Sequence, residues 1–366
     1  MKKYFVFFAF MLCLHVQANV YQPAATDKLA LAAPLPLTAE MAEFTSLLAN
    51  EPDQNTVLEL SALYLQGARK PGFDAWFHEA EQLLDSLNKP YTGLLQYQLL
   101  IADIQQQQHQ FQAALKTLDA VFKKEPQHVT ASLMAARIYL AIAEHDAAQQ
   151  ACARLWQQDL FLLSVCSYEV AGRKGNWATS YPALLNLFKR QATMPLAIEI
   201  WVRGILAEQA EQLGKIEVAQ QWLSPVLSQA PTSLWLKWAD LSLQLGDAAL
   251  VFDKLAALQQ NFGIADSLLV RLVRAGQQLT LAHDNAQALT FATELTQRVA
   301  VRVARGDSDH AADLAHYFLH IEPDAAAALY WAKLNYQSAK EPDDLALLEQ
   351  SIRALAKANQ ITEADK

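Results

Sequence analysis

Glycine, cysteine and charge are all sparse in this chain. It has 11 glycines and three cysteines in 366 residues, and only 18% of its side chains are charged. So few glycines leave little material for a phosphate-cradling loop or a dinucleotide fingerprint, and neither pattern occurs. They also leave too little turn chemistry for an all-β protein. There is no C-x-x-C pair and no strained G-x-S-x-G elbow, so no local motif points to thiol redox chemistry or a serine nucleophile. His78-Glu79 could open a zinc-protease motif, but no second histidine stands at the required position. What is abundant is apolar and helix-forming: 52% of the residues are hydrophobic, with alanine and leucine prominent.

The N-terminus reads as an export signal. Lys2 and Lys3 form a short positive region, Tyr4 to Leu14 is apolar but too short to span a bilayer, and Val16-Gln17-Ala18 offers a cleavage site. Residues 1–18 are therefore expected to be a signal peptide, and the chain periplasmic or secreted. An uncleaved anchor is the alternative. Removing the two lysines takes the net charge from −9 to −11, which argues against nucleic acid and anionic membrane surfaces as partners. No later segment is apolar and long enough to be an integral membrane span. Residues 19–37, with Pro23, Pro34 and Pro36, read as a flexible leader.

From residue 38 to about 360 a degenerate unit of about 34 residues returns. Its clearest copy runs from Ile200 to Ser233: Leu206-Ala207 lie mid-helix, Gly214 breaks the chain, Ala219 and Leu223 open a second helix, and Pro231 closes the unit. Leu95–His128 repeats it with Ala102, Ala114, Leu118, Val121 and Pro126. The unit from Val129 uses Ala136, Tyr139, Ala148 and Leu155, and Thr232–Ala265 uses Trp235, Ala239, Gly246, Leu255 and Leu258. Ala292–Ala325 fits with Gly306, Ala311, Ala315, Phe318 and Pro323, and a last hairpin is expected from Ala326. Small residues at these positions let two helix backbones approach closely.

The pattern resembles the tetratricopeptide repeat family over roughly residues 55–359. The resemblance implies an all-α fold, an α-solenoid of about seven stacked antiparallel helical hairpins, with the first helices of the pairs lining a concave face. Helical periodicity and short loops lead to the same class independently, because isolated hairpins bury their apolar faces only by stacking. Irregular units at Phe161–Pro195 and Asn261–Phe291 leave the register open there, along with a division into two sub-arrays near residues 190–195. Residues 361–366 are expected to be a tail.

Two cysteines remain after signal removal, Cys152 and Cys166. The repeat register puts them on helices that pack together, so a bridge and a pair of buried thiols are both open. Asp309, Asp313, His316 and His320 share one helical stripe. Because Ala311, Ala315 and Phe318 turn inward, this stripe is expected to face solvent as an ordinary polar surface, not a metal site. Matching to the family's groove positions gives Asp103, Gln106, Arg137, Trp201, Glu208, Asp240 and Tyr330 as candidate peptide-binding residues. Trp201 and Tyr330 are the candidate anchors, unless they merely fill space between hairpins. The functional expectation is a non-catalytic scaffold or adaptor without cofactor that holds a protein or peptide in its groove, in envelope assembly or secretion. A helical enzyme or small-ligand receptor using the same groove is the competing reading.

Overall fold

A computed structural model describes residues 37–50, 53–87, 91–279 and 285–364. The expected signal peptide and most of the leader lie outside the described residues. Within them the chain is helical throughout, with no strand.

The helices are α1 (Ala39–Asn50), α2 (Gln54–Ala68), α3 (Trp76–Asp85), α4 (Leu95–Gln107), α5 (Phe111–Lys124) and α6 (Val129–Ala141). They continue with α7 (His145–Ala153), α8 (Leu160–Arg173), α9 (Trp177–Lys189), α10 (Leu196–Gln212), α11 (Ile216–Leu223) and α12 (Thr232–Gln244). The last six are α13 (Ala248–Phe262), α14 (Asp266–Gln278), α15 (Ala286–Arg305), α16 (Ala311–His320), α17 (Ala325–Ser338) and α18 (Pro342–Ala364).

Local signals start and stop these helices. Asp53, Asp159, Asn285 and Asp324 cap α2, α8, α15 and α17 by accepting hydrogen bonds from first-turn backbone N–H groups. Pro195 and Pro231 sit at the N-caps of α10 and α12, where an absent N–H costs nothing. Turns inside the hairpins carry one residue with positive φ: His109, Ala143, Gly175, Gly214 and Gly246. His109 and Ala143 hold this left-handed position without glycine's freedom.

Each helix packs on its sequence neighbour. The even-numbered helices also form an inner row, most clearly α2 on α4 on α6 on α8 and α12 on α14 on α16 on α18. Eight hairpins result, α2/α3 through α16/α17, with α1 and α18 at the ends. Ala102, Ala114, Ala148, Ala219 and Ala239, the expected small contacts, are fully buried. The apolar interior falls into three consecutive clusters, around Met41–Ile104, Ala102–Val170 and Val165–Leu347.

The C-terminal register differs from the sequence expectation. Residues 292–325 were expected to form one hairpin, yet α16 packs chiefly on α17, α18 and α14 and only marginally on α15. It therefore belongs to the inner row. Gly306, left-handed at φ 62°, marks the link between two hairpins here instead of the turn within one.

The array also closes on itself. The Arg69 carbonyl after α2 accepts hydrogen bonds from Thr232 N at 2.7 Å and Thr232 Oγ1 at 3.1 Å. Phe73 meets Phe262 with ring centroids 5.2 Å apart. A second closure joins the Lys340 N–H to the Ala141 carbonyl at 2.7 Å. Hairpins about five units apart thus touch across one turn of the superhelix.

Candidate functional site: a charged inner face

Inner-row helices point polar side chains at one another across successive repeats. On α4, Asp103 pairs with Arg69, the residue ending α2. Burial raises the Asp103 carboxyl despite the nearby charges of Arg69 and Arg137. Arg137, on α6, is exposed and lies close enough to both Asp103 and Glu169 to act on their ionisation. Gln106 is half-buried near the end of α4.

The densest part centres on Arg173, at the end of α8. Its Nε and Nη2 donate to Glu208 Oε1 and Oε2 on α10, each at 2.6 Å, and Nη2 lies 3.4 Å from Glu341 Oε1. The remaining nitrogen, Nη1, is buried without a hydrogen-bond partner among the described residues. Burial raises the Glu208 carboxyl, while Arg173 and Lys237 oppose that shift. Glu169, one turn before Arg173, is pushed up to about 7: burial dominates, Arg173 opposes it and Glu208 reinforces it. Trp201 donates its indole N–H to Glu169 Oε2 at 3.2 Å and packs against two of the three apolar clusters. It is partly buried as a wedge between repeats, with the space-filling role that the sequence left open beside an anchor role.

Lys237, on α12, is held between Glu211 Oε2, at 2.6 Å, and Asp343. Burial alone would lower its pKa, but Asp343 and Glu211 raise it. Glu341 and Asp343 flank the start of α18, so the α17–α18 turn lies against the inner face and supplies two of its carboxylates.

Further along, Asp240 accepts a forked pair of bonds from Arg271, with Nη2 to Oδ2 at 2.8 Å and Nε to Oδ1 at 3.1 Å. Burial opposes ionisation of Asp240, but the Arg271 charge and its hydrogen bonds outweigh it and hold the carboxyl at about 2. Arg271 Nη2 also lies 2.9 Å from His316 Nε2, and the His316 and His320 rings stack 5.8 Å apart.

This corrects the expected solvated stripe. Because α16 belongs to the inner row, Asp313, His316 and His320 are partly buried, with His316 against Arg271 of α14, and Asp309 alone of the four is exposed. Burial lowers His316 well below the usual histidine range and takes His320 to about 4, while it raises Asp313 to about 6. Among the described residues, no group of three or more His, Cys, Asp or Glu side chains is placed to hold a metal ion.

Tyr330 departs from the groove expectation for the same reason. It lies on α17 in the outer row, 61% exposed, with its ring edge-on to Trp331. Asp103, Arg137, Trp201, Glu208 and Asp240 all stand on inner-row helices. Sequence reading missed Glu169, Arg173, Arg271 and Lys237: the first three stand 32, 35 and 31 residues from their partners, close to the repeat period, whereas Lys237 stands 26 and 106 residues from its own. Cys152 and Cys166, on α7 and α8, bring their sulfur atoms to bonding distance, with Cα atoms 5.7 Å apart. No helix among the described residues is long and apolar enough to cross a membrane.

A tetratricopeptide repeat profile matches residues 106–160. No curated protein sequence matches the chain. Among solved structures, a chain of the Cut9–Hcn1 hetero-tetramer of the APC/C superposes with a TM-score of 0.54 at 13% identity, covering 86% of this chain and 67% of that one. Pseudomonas aeruginosa pilF matches at 15% identity and TM-score 0.40, over 57% of this chain and 96% of its own. The C-terminal part of a TPR repeat-containing protein from Cytophaga hutchinsonii matches at 12% identity and TM-score 0.36, over 68% and 99%. The matched repeat at residues 106–160 lies within an all-helical stack of hairpins, and the fold as a whole is similar to that of tetratricopeptide-repeat solenoids.

Proposed function

We propose that this chain is an exported, non-catalytic adaptor whose inner face holds a segment of a partner protein in the cell envelope. The observation that carries the reading is the inner row itself. Asp103, Arg137, Glu169, Arg173, Glu208, Lys237 and Asp240 recur along it at about one repeat's spacing, as a continuous track of charged groups. Such a track fixes the register of an extended ligand through paired charges more than through buried area. Arg173, within this track, keeps one buried nitrogen, Nη1, without a hydrogen-bond partner among the described residues. Export is supported by Lys2, Lys3 and the apolar stretch that follows, and an oxidising compartment suits a Cys152–Cys166 bond.

Photo-crosslinking in the native cell tests it. A photoreactive residue at exposed Arg137 is expected to capture one partner protein, and a residue at Tyr330 on the outer row is not. Equal capture from both positions, or none from Arg137, would remove the inner-face reading.

A further inference from the structure

A cleft lies on the α7–α8 hairpin, with none of the charged inner-row residues in its lining. It is an open depression of about 780 Å³ between the end of α7 and the outward side of α8. Ser164 and Ser167 line it, and helical geometry places both roughly opposite Glu169 on α8. In a chain with 67 acidic and basic side chains, none lines this cleft. Its polar wall is made of amides and hydroxyls. Gln149 donates to Ser167 Oγ at 3.1 Å, Gln127 donates to Gln157 Oε1 at 3.3 Å, and Gln158 donates to Gln127 Oε1 at 3.0 Å. A side-chain amide offers two donors and two acceptor sites, so each of these glutamines retains capacity beyond its internal bond. At the rim stands Trp156, 66% exposed, an indole that no packing requirement places in water.

From this arrangement we infer that the α7–α8 cleft is a second binding site, separate from the inner face, and that it takes a neutral oligosaccharide. A pyranose has an apolar C–H face that stacks on an indole, and a fan of hydroxyls that donate and accept like the amides facing it. It carries no charge, which matches a wall without one. A peptide segment seated here would leave its charged side chains without partners in the wall. The volume is in the range of small-ligand sites, and the depression is open to solvent along its length. The two walls are pinned relative to each other: Cys152, beside Ala153 of the cleft, meets Cys166, beside Ser167. A frame fixed in advance lowers the ordering cost of binding.

Titration calorimetry of the whole chain with maltohexaose, cellohexaose and chitohexaose is the test. At least one hexasaccharide is expected to bind with a Kd below about 1 mM. Trp156→Ala is expected to weaken it at least about tenfold and Gln149→Ala about threefold, with the melting temperature of Trp156→Ala unchanged because the indole is exposed. If no hexasaccharide binds at about 5 mM, or if Trp156→Ala leaves the affinity as it was, the proposal fails. It fails too if a photoreactive residue at 156 captures a protein while the sugars do not bind, since the cleft is then a docking surface. The inner-face reading rests on Arg137 and is untouched by any of these results.

Discussion

Arg173 and Glu208, 35 residues apart in sequence, are joined by two parallel bonds of 2.6 Å that tie α8 to α10. The side chains are only 9% and 17% exposed, so the pair is largely withdrawn from water. Replacing Arg173 with Met leaves Glu208 and Glu169 buried without their cation, and should cost about 3–5 kcal/mol in denaturant unfolding. Arg173→Met with Glu208→Leu should recover much of that loss, because a packed apolar pair replaces a buried ionic one at little net cost. A double-mutant cycle measures the coupling directly.

Glu169 gives the inner face a pH signature. Its carboxyl titrates near 7 in the folded chain, against an ordinary value of 4.5. Between those values the folded state keeps a proton that the unfolded chain gives up, so this residue's contribution to stability falls as pH rises through the window. Glu169→Gln should flatten that decline between pH 5 and 7.5. His320 works in the opposite sense. Held near 4, it stays neutral when folded, and its contribution rises with pH from about 4 to the usual histidine value of 6.5. His320→Phe should remove that rise. Chemical denaturation across the range separates the two slopes.

Ala143 holds φ 63° at the α6–α7 turn, where three later hairpins use glycine. A left-handed residue with a Cβ pays about 1–2 kcal/mol, and glycine's extra unfolded-state freedom returns part of it. Ala143→Gly should therefore stabilise the chain by roughly 0.5–1 kcal/mol. Thermal unfolding reads the change.

A bond between Cys152 and Cys166 closes a loop with a sequence separation of 14. Its loss should cost about 3 kcal/mol in the chain-entropy account. Cys152→Ser should lower the melting temperature under oxidising conditions only. Under reductant, wild type and variant should converge. A thiol count on the unfolded, unreduced chain shows whether the bond is present.

Gly72 tests the closure of the superhelix. A Cβ there would come within 2.5 Å of the Gly263 carbonyl oxygen and 2.6 Å of Phe262 Cβ, and its φ is already +86°. Gly72→Ala should part the two turns and raise the radius of gyration in small-angle scattering. Gly214→Ala is the control: φ is +73° but nothing lies within 4 Å. It should carry only the backbone cost of about 1–2 kcal/mol, with the shape unchanged.

The repeat class was legible because it rests on residues that must be small. Ala102, Ala114, Ala219 and Ala239 are fully buried where backbones approach. The C-terminal phase was not legible. A left-handed glycine followed by buried alanines serves equally well within a hairpin and between two, so Gly306, Ala311 and Ala315 satisfied the pattern one helix out of step. That slip moved Tyr330 to the outer row and His316 to the inner one. The ion pairs escaped notice for another reason. Charged residues 31–35 apart look solvated in a linear reading, and only the stacking of inner-row helices brings them together.

A stack of repeats usually has two loose ends, from which it can melt unit by unit. Here the first hairpin leans on the sixth through Arg69 and Thr232, and the third meets the last through Ala141 and Lys340. Peeling either end must first break a contact that spans half the chain. The array therefore has the topology of a coil spring whose turns are spot-welded: strain applied at one end is shared by hairpins far along the sequence, and a partner prying at the C-terminal turn would be felt at α6.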